Sequence, residues 1–139
     1  MMSFRCISKE TCMPTLDDQT LEALRSDRLI DFTTTGRKSG KPHRRETWMH
    51  QTRSGLVLTG SPGKRDWYAN LLANPAFTLH VKESAKADLE ATATPVTDPD
   101  ERRDLFTEIL ERIGRPETDL DRWMTESPLV RVSIDGFTG

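Results

Sequence analysis

Thr33-Thr-Thr-Gly-Arg-Lys-Ser-Gly-Lys-Pro-His43 and, further along, Asp66-Trp-Tyr-Ala-Asn-Leu-Leu-Ala-Asn-Pro75 carry most of what this chain reveals about its fold. The first run sets Arg37, Lys38 and Ser39 between Gly36 and Gly40, at the end of a threonine-rich stretch that reads as a strand. Backbone N–H groups freed by a glycine turn, with a guanidinium, an ammonium and a hydroxyl beside them, make a receptor for phosphate or carboxylate. The spacing is neither that of a P-loop, Gly-x-x-x-x-Gly-Lys-Ser/Thr, nor that of the dinucleotide fingerprint Gly-x-Gly-x-x-Gly.

Working outward, Leu29 to Thr35 is a strand ended by Gly36. His43 to Gln51 alternates, with Arg45, Thr47 and Met49 on one face and Arg44, Glu46, Trp48 and His50 on the other. Leu56 to Ser61 completes a hairpin after the turn Thr52-Arg-Ser-Gly55. Asp66 can cap a short helix carrying Trp67, Leu71 and Leu72, and Asn74-Pro75 stops it. Phe77, Leu79 and Val81 alternate with Thr78, His80 and Lys82, and Leu89, Ala91 and Ala93 mark the returning strand. Asp98-Pro-Asp-Glu101 is a strong helix start, Gly114 its stop, and Leu105, Phe106, Ile109, Leu110 and Ile113 its inner face. Before these, Thr15 with Asp18 opens a helix bearing Leu16, Leu21 and Leu24. After them, a short helix near Leu120 to Met124 leads to a last strand, Leu129 to Ile134. Six strands in hairpin succession and about four helices make an α+β chain with an antiparallel sheet. Leu29, Phe32, Val57, Leu79, Phe106 and Val132 are among its expected core residues. Periodicity does not choose between a barrel and an open sheet.

With 139 residues, 35% hydrophobic and 30% charged, the chain reads as one domain over 1–139, and no apolar run has membrane-span length. The start lacks the long apolar stretch of a signal peptide, so a cytoplasmic protein is expected. Residues 1–13 read as a disordered or mis-started N-terminus. Cys6 and Cys12 fit neither a redox pair nor a zinc half-site, and Met13 is an alternative start. The net charge of −2 hides an asymmetry: Gly36 to Lys82 holds nine Lys/Arg against Glu46 and Asp66, and all three histidines. So local a field favours a bound anion, or else a solvated basic face, over nucleic-acid coating. The histidines lack metal spacing, and no His–Asp pair beside a hydroxyl is evident, which argues against nucleophilic catalysis.

Taken together, the two quoted runs resemble the deazaflavin-dependent nitroreductase family, whose members use the coenzyme F-420. The likeness extends from about Leu29 to Val96. It implies a six-stranded antiparallel split β-barrel with peripheral helices, related to pyridoxamine phosphate oxidase. It also implies hydride transfer from reduced F-420 to a quinone, nitro compound or activated enone. In that likeness Arg37, Lys38 and Ser39 hold the coenzyme's phosphate-bearing acidic tail, while Thr59, Gly60 and Ser61 face its ring. Trp48 would flank the ring or simply pack in the core. Glu46, read as facing inward, would pair with Arg44 or Arg45 or accept from a ring N–H. The chain departs from some relatives after Ser61, where Pro62 replaces a lysine; Lys64 is the nearest substitute. FMN in the same barrel, or a non-catalytic protein binding a flavin or another anion, are the alternatives. A homodimer is expected, because Trp48, Trp67 and Trp123 need burial.

Overall fold

Every strand of this protein has one face turned to a shared interior, and two helices cover part of the outside. A computed structural model describes residues 17–134. The expectations for residues 1–13, for Cys6 and Cys12, and for Thr15 and Leu16 fall outside them. The elements are α1 (Asp18–Ser26), β1 (Leu29–Thr35), β2 (Pro42–Thr52), β3 (Gly55–Thr59), α2 (Asp66–Ala73), β4 (Ala76–Val81), β5 (Ala87–Pro95), α3 (Pro99–Ile113), α4 (Leu120–Glu126) and β6 (Leu129–Ile134). The strands are antiparallel and close in the order β1-β2-β3-β6-β5-β4. Closure removes the unpaired edges that an open sheet would leave. The barrel expected from the resemblance is the fold.

Alternation sets the interior. Ile30 and Phe32 of β1, Phe77, Leu79 and Val81 of β4, and Leu89 and Ala91 of β5 point inward and are buried together. Trp67 of α2 plugs one end of the barrel, its ring edge-on to Phe32 with centroids 5.3 Å apart. Strand β3 breaks the alternation most fully, with Leu56, Val57, Leu58 and Thr59 all buried. Leu56 and Leu58 join the interior, while Val57 faces outward into a second cluster with Leu105, Phe106, Ile109, Leu110, Trp123 and Leu129. A strand covered on both faces reads as a continuous apolar run, and Leu56-Val-Leu58 is one. Leu29 and Val132, expected in the core, are only half-buried because they lie at its margins.

Helix α3 begins and ends as its sequence dictates. The Asp98 carboxylate accepts from Glu101 N at 3.0 Å, Pro99 occupies the first turn, and Gly114 turns left-handed at φ 75°. Arg102 ties α3 to its surroundings, donating to the carbonyls of Val96, Met124 and Ser127 at 2.7–3.1 Å. Two helix starts differ from expectation. Asp17 caps α1 by accepting from Thr20 N. Arg65 occupies the capping position of α2, so Asp66 is the first helical residue and its charge favours the positive end of the helix. Trp67 and Trp123 are buried within the chain, so only Trp48 remains of the three tryptophans that suggested a dimer. Among the described residues no helix is long and apolar enough to cross a membrane.

Candidate functional site

The β1–β2 turn builds a small cradle. Gly40 takes a φ of 71°, its N–H donates to Gly36 O at 3.0 Å, and Ser39 Oγ accepts from Lys41 N at 3.1 Å. Arg37 lies back on α2: its backbone N and its Nη1 both donate to Asn70 Oδ1, at 3.1 and 2.9 Å, and its guanidinium stands 3.7 Å from the Asp66 carboxylate. Asn70 is buried and was not singled out in the sequence, yet it fixes the turn to the helix. The enclosed hollow, about 170 Å³, is lined by Arg37, Lys38, Ser39, His43 and Arg45. A side chain at Gly36 would collide with Ser39 Oγ at 2.6 Å and His43 Nε2 at 2.8 Å, so glycine is what lets these groups close over the hollow.

A larger cleft of about 480 Å³ opens elsewhere on the barrel, between β2, the end of β3 and the C-terminal end of α3. Trp48, Thr59, Gly60 and Ser61 all line it. Trp48 is 55% exposed, and Ile113 beside it 41%. Thr59 offers no free hydroxyl, since its Oγ1 donates to Pro128 O at 2.5 Å. Gly60 and Ser61 have left the β3–β6 ladder, and among the described residues neither backbone N–H donates a hydrogen bond. The cleft continues past Ser61 and Pro62 into a hollow of about 230 Å³. The loop from Gly60 to Asp66 joins the two sites, with Gly60 and Ser61 lining the cleft and Asp66 the cradle.

Three further placements correct the sequence reading. Glu46 faces outward, not inward, and pairs with Lys82 rather than Arg44 or Arg45; Asp31 takes the other side of Lys82 at 2.8 Å and Arg44 at 3.0 Å. Lys64 lines a separate hollow, and the cation near Ser61 is Arg65, whose Nη2 donates to Ser61 O at 2.9 Å and whose guanidinium overlies Gly60. A His–Asp pair does exist. His80 Nδ1 meets Asp88 Oδ1 at 2.7 Å, and its Nε2 meets Thr33 Oγ1 at 2.7 Å, across β5, β4 and β1. Local sequence could not show it, because strand register brings the three together. A carboxylate only accepts, so Nδ1 carries the proton. Thr33 sits in mid-strand with partners on both sides, which leaves the nearby backbone amides in ladders and none to stabilise an oxyanion. The triad is a polar latch between strands.

His50, on the same strand face as Trp48, is buried at the cleft. It is only 8% exposed, and its pKa is pushed down to about 4. Burial is the main cause, followed by the charges of Arg112 and Arg28.

Residues 16–134 match the family of F-420H2-dependent quinone reductases. The chain belongs to that family. Membership ties this quinone reductase family protein to F-420-dependent oxidoreduction. Solved structures show the same fold in distant proteins. A conserved hypothetical protein from Mycobacterium tuberculosis is 20% identical, with 86% of this chain and 80% of that one covered and a TM-score of 0.66. An F-420 reductase is 24% identical, with 84% of this chain and 94% of that one covered and a TM-score of 0.57. A pyridoxamine 5'-phosphate oxidase-like protein from Listeria innocua is 12% identical, with 87% and 94% covered and a TM-score of 0.62.

Proposed function

We propose that this chain binds F-420 along the loop Gly60–Asp66, with the acidic tail in the cradle and the ring in the cleft, and reduces a quinone, nitro compound or activated enone. One observation carries the reading: a cationic hollow and an aromatic cleft with free backbone donors are joined by a single loop. The residues suit the coenzyme. Arg37, Lys38 and Arg45 supply positive charge for phosphate and carboxylates, and the closed turn at Gly36 sets Arg37 and Lys38 beside each other. The Gly60 and Ser61 amides can meet carbonyl or ring-nitrogen acceptors on the coenzyme ring, and Trp48 keeps an indole face in the same cleft for the acceptor's ring.

When bound, the coenzyme supplies the hydride, so the protein needs no nucleophile of its own. In this reading Ser61 Oγ and the neighbouring amides stabilise negative charge developing on an acceptor oxygen. The cleft walls exclude part of the solvent around it, which strengthens those contacts. Titrating the purified protein with F-420 and with FMN, and following reduced F-420 absorbance on adding menadione, tests the reading. Saturable F-420 binding and loss of that absorbance are expected. Tight FMN binding with indifference to F-420 would contradict it, and binding of F-420 without turnover would leave only a carrier.

A further inference from the structure

One wall of the cleft is rich in arginine. Arg28 precedes β1, Arg112 lies in the last turn of α3, and Arg115 follows Gly114, whose left-handed turn brings the chain back toward the barrel. All three line the cleft around Trp48. We propose that this wall is a binding subsite for a flat aromatic acceptor bearing a carboxylate or sulfonate, its ring on Trp48 and its anion on Arg28 and Arg115. The inference rests on the reading of the cleft as the place of reduction.

The charges do not cancel. Arg112 is held by Glu108 at 3.0 Å, and Arg115 stands 3.7 Å from Asp119, whereas Arg28 forms no ion pair among the described residues. Arg112 also serves the negative end of α3, which gives it a structural role. Arg28 has no such role and is exposed. Burial chiefly lowers the pKa of His50 in this wall, and the nearby Arg112 and Arg28 lower it further. The apolar part is equally distinctive. Trp48 and Ile113 are two of the three exposed large hydrophobic residues among those described, and both are here. An uncovered indole beside guanidinium groups binds a ring and its anion at once, where a neutral quinone would use the ring contact alone.

The test uses coenzyme-free protein, with tryptophan fluorescence and calorimetry reporting binding of 1,4-naphthoquinone-2-sulfonate and of menadione. The sulfonate should bind about tenfold tighter, as one well-formed charged contact implies, and the preference should shrink as ionic strength rises. Arg28→Gln with Arg115→Gln should bring the two ligands to the same affinity, while Trp48→Ala should weaken both. Equal affinities in the wild type, or a preference that survives loss of both arginines, overturns the proposal. Adding F-420 distinguishes the other source of anions. If it displaces the sulfonate but not menadione, the arginines hold the coenzyme's tail and the acceptor subsite is overturned. If F-420 does not bind at all and the sulfonate preference persists, the coenzyme reading fails while the anion subsite stands.

Discussion

The cradle and the cleft recognise by opposite means. The cradle comes from the β1–β2 turn, the strand ends beside it and α2, and has its leading cation already engaged: Arg37 is bonded to Asn70 before any ligand arrives. The cleft gathers residues from β2, β3, α3 and the segments around them, keeps a tryptophan uncovered, and holds two backbone donors with no acceptor among the described residues. A preorganised anion site loses little entropy on binding and fixes position. An open aromatic site with unpaired donors is better suited to chemistry, because its groups remain available to a charge that develops late. The difference fits the proposed division, with the anchor in the first and the reaction in the second.

The contrast breaks most visibly at Gly60. A Cβ there would meet the Arg65 guanidinium at 3.3 Å, so Gly60→Val should push that side chain aside and cover the free amides. Coenzyme binding and turnover should be lost. The barrel should survive because the displaced atoms end a flexible side chain, which a thermal melt would check. A variant that retains both affinity and turnover removes the cleft from the account.

His50 tests the cleft through pH. Its folded pKa of about 4 lies below the usual 6.5, so the unfolded chain takes up the proton first as pH falls. Stability owed to this histidine is complete above about pH 6.5 and is lost as pH falls toward 4, by roughly 3 kcal/mol in all. Urea unfolding at several pH values should show that slope in the wild type and a shallower one in His50→Gln. Equal slopes would place His50 in water rather than in the cleft wall.

At the cradle the two cations should separate. Arg37→Ala should cost about 1.5–3 kcal/mol in coenzyme affinity and also lower the melting temperature, since it unfastens the turn from α2. Lys38→Ala, at an exposed position, should lower affinity and its salt dependence while leaving the melt unchanged. The smallest effect is expected at Lys64, which lies in another hollow. Lys64→Ala should change affinity by less than about 0.5 kcal/mol, whereas Arg65→Ala should weaken binding measurably.

Legibility in the sequence divides along the same line. The element boundaries of β1, α3 and β6 are written in local signals, namely β-branched runs, the Asp98 cap with Pro99, and the Gly114 stop. The Arg37-Lys38-Ser39 core of the cradle is likewise contiguous and could be read directly, whereas Asn70, which fastens it to α2, could not. The cleft could be read only in part. Trp48 and Ser61 came from the family resemblance, but Arg28, His50, Arg112 and Arg115 are far apart in sequence and meet only through barrel closure and the packing of α3. Alternation placed Glu46 and Trp48 on one face without saying which face was inside. Lys82, at the end of the strand paired with β1, is what turns Glu46 outward into an ion-pair network. The His80–Asp88–Thr33 latch was invisible for the same reason, because register rather than spacing creates it.

The central claim is that one coenzyme spans both sites, tail in the cradle and ring in the cleft. Affinities of F-420 and of the same deazaflavin without its phosphate-bearing tail, measured in the wild type and in the Arg37→Ala, Lys38→Ala double variant, test it as a thermodynamic cycle. The account predicts that the wild type binds intact F-420 at least about tenfold more tightly than the tail-less ring, and that the double variant binds the two almost alike. A tail preference that persists undiminished in the double variant would contradict it.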